Sequence, residues 1–267
     1  TGAGKVVGPG KAMGHFGSHN QLNKLSDKWK EPKEAQKPDV NGGGTKATKP
    51  TMFCHHPHGV VAIGPCSMGS KLGNNPRAVV APACLSMPFC RQMMECLGMV
   101  SSSGPAMKKT MREGKDMAII PGGVEEVVLA SSKVERSYIT KRKGFVKYAL
   151  QHGYDLVPVY HLGETSLFDV VYPLDTPVML KARVWLANKF SLATGVGFGW
   201  SFLPLVPKPD MKCVTVVGNR IAMPTVEEPS REMVEKHHAM YVEALQRLYY
   251  EHRALHPLYQ SRALELW

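Results

Sequence analysis

From Thr51 onward, short apolar runs alternate with stretches of helical spacing, and this alternation constrains the fold more than any other feature of the chain. Thr51 to His56, Arg77 to Ala81, Met117 to Pro121, Asp155 to His161 and Val214 to Val217 read as strands. Several of them are continuously apolar, as strands covered on both faces are. Between them, Pro88 to Leu97 ending at Gly98, Pro105 to Glu113 with Ser103 or Gly104 at its cap, and Lys143 to Gln151 ending at Gly153 read as helices. Ser230 to Leu255 is the clearest helix, with Met233, His237, Met240, Tyr241, Ala244 and Leu248 placed on one face that reads as core. Such alternation predicts an α/β layered domain.

At 267 residues and 43% apolar content the chain can build one large domain with a substantial core. Cys54, Cys66, Cys84, Cys90, Cys96 and Cys213 lack CxxC spacing and lie mostly in apolar segments, which predicts buried thiols in a reducing compartment. The net charge of +11 invites a nucleic-acid reading, yet no RNP-like aromatic pattern, zinc-finger spacing or basic helix accompanies it. An anionic membrane surface or a polyanionic ligand such as coenzyme A is the better partner for that charge. Residues 1–49, rich in Gly, Lys and Pro and including Asn41-Gly42-Gly43-Gly44, read as a flexible basic arm or linker ahead of a folded domain over residues 50–267. The chain starts without methionine and reads as a fragment or processed form. Phe190 to Pro207 comes nearest to a membrane span, but Gly195, Gly197, Gly199, Pro204 and Pro207 would break a regular helix. A loop dipping into a membrane surface, lining an acyl pocket or simply buried is expected there.

Three short stretches carry chemistry. In Phe53-Cys54-His55-His56-Pro57-His58-Gly59, a histidine pair flanks a proline at the end of a strand. A neutral imidazole accepts a proton near neutral pH, so the pair is a candidate general base. Pro57 biases His56 towards extended backbone and Gly59 permits a sharp exit, which presents His58 at a turn. In Ile119-Ile120-Pro121-Gly122-Gly123-Val124-Glu125-Glu126, a strand runs through two glycines into a helix start. Backbone N–H groups there could hold an oxyanion, or the turn could be purely structural. Glu126 could orient the His58 imidazole as the third member of a triad does. In Lys141-Arg142-Lys143-Gly144-Phe145-Val146-Lys147, basic residues sit at a helix start, against the macrodipole, which points to an anionic ligand or to a solvated basic turn. Glu164, just past the Asp155 to His161 strand, is a polar site residue or a helix-start acid.

Taken in order, His56-Pro57-His58-Gly59, Pro121-Gly122-Gly123 with Glu126, and Arg142-Lys143-Gly144-Phe145-Val146-Lys147 with Ala149 and Gly163-Glu164 resemble the diacylglycerol acyltransferase type 2 family. The resemblance continues through Val216-Val217-Gly218 and Tyr241-Val242-Glu243-Ala244-Leu245. It implies a single layered domain with a mixed, largely parallel central sheet flanked by helices, like that of glycerolipid acyltransferases. It implies an enzyme that moves a fatty acyl group from acyl-CoA to a neutral glycerolipid hydroxyl at the endoplasmic reticulum membrane or lipid droplets. Diacylglycerol is the expected acceptor, with monoacylglycerol or a fatty alcohol as alternatives. By position, His58 becomes the base, His56 its orienting neighbour and Glu126 the carboxylate. Gly59, Pro121, Gly122, Gly123 and Glu164 surround the oxyanion and substrate, and Arg142, Lys143, Gly144 and Lys147 hold coenzyme A. No metal and no bound organic cofactor are implied, acyl-CoA being a co-substrate. Nucleic acid is not an expected partner, and a homo-oligomer stays open. More distant glycerolipid acyltransferases place an aspartate five positions after the histidine, where this chain has Ile63 after His58 and Val61 after His56. Two readings of other classes remain: a zinc-binding hydrolase built on Cys54, His55, His56 and His58, and a non-catalytic lipid-binding protein. Cys54 is also a candidate nucleophile.

Overall fold

In a computed structural model, the described residues are 49–267 apart from 69–71, 73–74, 87, 132–133, 173–175, 192 and 202–205. The expected arm lies, but for Lys49, outside the described residues. In chain order the elements are β1 (Thr51–His56), α1 (Ile63–Met68), β2 (Arg77–Val80), α2 (Pro82–Ser86), α3 (Pro88–Cys96), β3 (Val100–Ser101), α4 (Gly104–Arg112), β4 (Met117–Ile119) and α5 (Val124–Leu129). They continue with β5 (Glu135–Ser137), α6 (Gly144–His152), β6 (Asp155–Leu162), β7 (Asp169–Val171), α7 (Pro177–Phe190), β8 (Val196–Phe198), β9 (Val214–Val217), α8 (Arg231–His252) and β10 (Leu264–Leu266). The main sheet has six strands in the order β3-β2-β4-β1-β6-β9. Every neighbouring pair is parallel except β6 with β9. The fold is therefore the α/β layered domain with a mixed, largely parallel sheet that the alternation and the resemblance lead one to expect.

β1 is buried at every residue, as a middle strand covered on both faces must be. Its side chains alternate between two cores. Met52 and Cys54 join Tyr160, Phe145, Tyr241 and Leu245 beneath α6 and α8. Phe53 joins Val157, Val159 and Leu72 on the opposite face. α8 begins one residue later than expected, because the Ser230 hydroxyl accepts the Met233 N–H and serves as cap. Its buried stripe is Val234, His238, Tyr241, Leu245, Leu248 and Tyr249. Of the expected face, Tyr241 and Leu248 are buried, whereas Met240 is exposed and Met233, His237 and Ala244 lie at the border. The apolar content on both sides of the helix admits two stripes, and Tyr249 against Tyr160 selects the rotated one.

The sequence reading also missed several short elements and one long helix. α7 had no counterpart among the expected helices, since apolar residues encircle it and no single stripe announces it. It starts on the Thr176 hydroxyl and packs Val184 and Ala187 against Val128, Leu129 and Tyr138. Within the stretch from Phe190 to Pro207, residues Val196–Phe198 form β8, antiparallel to β7, so this segment is partly strand rather than loop. Residues 192 and 202–205 of it lie outside the described residues.

The rotated stripe of α8 makes a direct test. Leu245→Ala, which empties a fully buried site, is expected to cost about 2–5 kcal/mol of unfolding stability. Met240→Ala, at a position 45% exposed, should stay within about 0.5 kcal/mol. Urea unfolding of both variants reads the difference, and the reverse ranking would restore the face expected from sequence.

Candidate active site

Three adjacent parallel strands, β4, β1 and β6, release the histidine motif, the glycine turn and Gly163-Glu164 at the same edge of the sheet. β1 ends at His56 and leads to Pro57-His58-Gly59. β4 ends at Ile119 and leads to Pro121-Gly122-Gly123, and β6 ends at Leu162 and leads to Gly163-Glu164. Open α/β sheets bind ligands in the crevice outside the carboxyl ends of their strands. The sheet topology thus assembles segments up to 108 residues apart in sequence, from His56 to Glu164.

The pleat sends the neighbouring histidines of β1 to opposite faces. His56 is fully buried. Its Nδ1 lies 3.3 Å from Glu126 Oε1 and 3.1 Å from Ser137 Oγ, and its Nε2 lies 2.9 Å from the Tyr241 hydroxyl. Glu126, equally buried, also accepts the Ser137 hydroxyl at 2.6 Å, the Tyr138 N–H at 3.0 Å and the His58 N–H at 2.8 Å. Burial alone would push this carboxyl up, but bonds from His56, Ser137 and the His58 backbone outweigh it and hold Glu126 below its ordinary range. With Glu126 ionised, His56 donates to it through Nδ1, and Nε2 shares a hydrogen bond with the Tyr241 hydroxyl. Gly122 makes this possible, since a Cβ there would overlap Cγ and Cδ of Glu126 folded beneath the turn.

His58 is the accessible member of the pair, only half-buried. Its Nδ1 lies 2.9 Å from the Gly59 carbonyl, which can only accept, so Nδ1 carries the proton and Nε2 the lone pair. The sequence expectation that Glu126 orients the His58 imidazole is corrected here: the carboxylate grips the His58 backbone and the His56 ring, while Gly59 sets the His58 tautomer. Ser137 and Tyr241 escaped sequence reasoning as site residues. Ser137 sits on a short strand without its own motif, and Tyr241 was read as core, which it also is.

On the other face, His55 Nδ1 and His161 Nε2 are 2.8 Å apart, and His161 Nδ1 meets Thr215 Oγ1 at 2.9 Å. Burial, and then neighbouring His56, pushes His55 down to about 3, so this chain is a neutral core network. Glu164 takes the Ile63 and Gly64 N–H groups at 2.8 Å each and closes the loop that follows His58. Burial outweighs these bonds and raises its carboxyl to about 7. Gly59, at φ 61°, and Gly64 are both required, because a Cβ on either would meet the Glu164 carboxylate within 3 Å. Opposite faces also separate the ligands of the imagined zinc site. Among the described residues no three His, Cys, Asp or Glu side chains converge where a metal could sit. Burial drives the Cys54 thiol far above its ordinary pKa, so it is a poor nucleophile.

The turn glycines and the basic cluster are only partly available. The Gly123 N–H closes a turn on Ile120 O at 3.2 Å, whereas the buried Gly122 N–H has no partner among the described residues. Arg142 forms an ion pair with buried Glu125 and lies 5.2 Å over the Tyr138 ring. Lys143 pairs with Glu235 at 3.2 Å. These internal carboxylates account for two of the cations at the start of α6; Gly144 opens the helix, and Lys147 is exposed.

Comparison with known proteins identifies the family. The family model described as diacylglycerol acyltransferase matches residues 42–267, and the chain belongs to that family. It is 33% identical over 213 residues to human acyl-CoA wax alcohol acyltransferase 1, covering 74% of this chain and 65% of that protein. It is 29% identical to diacylglycerol O-acyltransferase 2 of Dictyostelium discoideum, over 76% of this chain and 66% of that one. The Xenopus tropicalis diacylglycerol O-acyltransferase 2 is 30% identical, over 80% and 64%. The chain thus spans about 65% of the length of these relatives. No solved structure matches it.

Two outcomes follow from the charges. Arg142→Gln strands the Glu125 carboxylate and should cost about 1–3 kcal/mol, and Arg142→Gln with Glu125→Gln should recover most of it. Lys143→Gln, which breaks a pair exposed on both sides, should cost about 0–1 kcal/mol in the same unfolding assay. For Glu164, a carboxyl raised to about 7 in the fold keeps its proton while the unfolded chain releases it above about 4.5. The wild type should therefore lose stability relative to Glu164→Gln as pH rises from about 4.5 to 7, read as the difference in Tm across that window.

Proposed function

We propose that the protein is an acyl-CoA-dependent O-acyltransferase that esterifies diacylglycerol, with His58 Nε2 as general base. The observation that carries this reading is the His58 ring itself: half-buried at the carboxyl edge of the sheet, with Nδ1 committed to Gly59 O and Nε2 left with its lone pair. Nε2 takes the proton of the acceptor hydroxyl as that oxygen attacks the thioester carbonyl. A C–O bond forms, the tetrahedral oxyanion collapses with loss of the C–S bond, and the imidazolium returns its proton to the departing thiolate. The Gly122 N–H is the donor proposed for the oxyanion. His56, fully buried, acts through position: with Glu126 and Ser137 it fixes the strand end from which His58 projects.

A neutral acceptor fits a turn whose contribution is backbone alone, since Pro121-Gly122-Gly123 brings no charge to the edge of β4. A long-chain alcohol is the second reading, favoured by the similarity to wax alcohol acyltransferases. Among the described residues no helix is long and apolar enough to cross a membrane. Access to lipid is instead proposed through Trp185, Phe190, Phe198 and Trp200, which are 36–60% exposed on α7 and around β8. Lys189 lies 5.0 Å over Trp185 and 5.5 Å over Phe190. Aromatic rings beside a lysine suit a bilayer surface, and the endoplasmic reticulum or a lipid droplet is the proposed site of action.

Incubating the protein in membranes with labelled acyl-CoA and a panel of diacylglycerol, monoacylglycerol, fatty alcohol and lysophosphatidic acid tests the assignment. Diacylglycerol should be esterified at least about tenfold faster than lysophosphatidic acid, roughly 1.4 kcal/mol in transition-state binding. Comparable rates on the phosphorylated acceptor would move the protein to phospholipid synthesis. His58→Ala should lower turnover by roughly 100-fold or more with the fold intact by circular dichroism. Near-normal turnover in that variant removes His58 from the mechanism.

A further inference from the structure

A cavity of about 230 Å³ opens beyond the far end of α5 from Glu126, lined by Ala130, Thr165, Ser166, Phe168, Lys208 and Arg262 among others. The Arg262 guanidinium is only 11% exposed and is held in place before anything binds. Its Nη1 donates to Ser166 Oγ at 3.3 Å, and its Cζ stands 4.7 Å over the Tyr259 ring. Its Nε and Nη2 have no hydrogen-bond partner among the described residues, so one edge of the fork is unspent. The nearest carboxylate, Glu135, stands 3.8 Å from Nη1 and is engaged by the hydroxyls of Tyr160 at 3.2 Å and Thr165 at 3.0 Å. Burial raises Glu135 to about 7, which leaves the Arg262 charge incompletely countered near neutral pH. The second cation, Lys208, is tied to Asp169 at 2.8 Å, but Asp169 is 68% exposed and such surface pairs open at a cost of about 0–1 kcal/mol.

We propose that this cavity is a phosphate-binding subsite, in which Arg262 grips a phosphate ester in fork geometry, Lys208 supplies a second positive charge and Ser166 adds a hydroxyl. Whole-ligand sites run to roughly 300–1,000 Å³, so a cavity of about 230 Å³ takes a head group rather than an entire amphiphile. Its position joins it to the chemistry. Thr165 follows Glu164, whose carboxylate abuts Gly59, and Ala130 follows α5, whose first turn carries Glu126. Four residue steps of helix, about 6 Å at 1.5 Å per residue, separate Glu126, which holds the His58 backbone, from Ala130 at the cavity. Under the acyl-CoA reading, on which this assignment of the ligand rests, that phosphate belongs to coenzyme A. The same chemistry could be met by a phospholipid head group. Of the residues expected to bind coenzyme A, Arg142 is occupied by buried Glu125, whereas the Lys143 pair with Glu235 is exposed like that of Lys208 with Asp169.

The test measures binding apart from turnover. Free coenzyme A is titrated calorimetrically into wild type, Arg262→Gln, Arg262→Lys and Lys208→Gln, each checked by thermal unfolding. Phosphatidylcholine vesicles with and without phosphatidic acid are co-sedimented with the same proteins. Arg262→Gln should weaken coenzyme A binding at least about tenfold, Lys208→Gln by a few fold, and Arg262→Lys should fall between wild type and Arg262→Gln because it keeps charge and loses the fork. Loss confined to phosphatidic acid vesicles would keep the phosphate site and reassign its source to a lipid head group. Unchanged binding of both ligands in folded Arg262→Gln and Lys208→Gln overturns the proposal, as does loss of coenzyme A binding in Lys141→Gln/Lys147→Gln alone. Failure of acyl transfer with the Arg262-dependent binding preserved would sink the enzymatic reading and leave the subsite standing.

Discussion

One buried carboxylate ties the site together. Glu126 receives hydrogen bonds from the His56 ring, the Ser137 hydroxyl and the backbones of Tyr138 and His58. These groups come from the end of β1, the turn after it and the edge of β5, so a single side chain fixes three segments. An ionised carboxylate in a water-excluded place is stable only with such a set of donors. The donors in turn gain a fixed geometry from it. Gly122 exists to leave room for this arrangement, and the position of the His58 ring is its outcome.

The main sheet was legible because its central strands are short and mostly apolar, a pattern that survives without tertiary information. β1 and β9 have the bounds the sequence indicates, β2, β4 and β6 differ by one or two residues, and the two-residue β3 was not expected. α7 was not legible, because its fold depends on which of its apolar sides finds Val128 and Tyr138. The stripe of α8 was misplaced for the same reason: periodicity identifies a helix, while the partner chooses the face. At the site, the residue types at the strand ends were readable, but their pairing was not. Nothing in the spacing from His56 to Glu126 tells which histidine the carboxylate will meet. The pleat of β1 decides that, by turning His56 towards Tyr241 and His55 towards His161. Arg142 and Lys143 show the converse limit, since the spacing that marks a basic cluster does not tell that two of its cations meet carboxylates of the same chain.

The two faces of β1 also divide polarity. Beneath α8, an ionised carboxylate and an imidazole share hydrogen bonds with two hydroxyls. Behind it, two imidazoles stay neutral at ordinary pH because burial denies them a proton. Only His58, beyond the end of the strand, escapes both environments and keeps an open nitrogen. Which imidazole stays accessible at this edge is thus a matter of where the strand stops rather than of histidine count.

The Glu164 carboxylate and the glycines at 59 and 64 occupy one shared volume, since a methyl group added to either glycine would enter the space of the carboxylate oxygens. These positions form a unit of inheritance. A side chain at 59 needs a smaller residue at 164 and still strains a backbone at φ 61°, one at 64 meets the His161 ring as well, and a smaller residue at 164 leaves the Ile63 and Gly64 amides unpaired. Each single step between such variants passes through a damaged intermediate, so divergence should change these positions together with 161 or leave them alone.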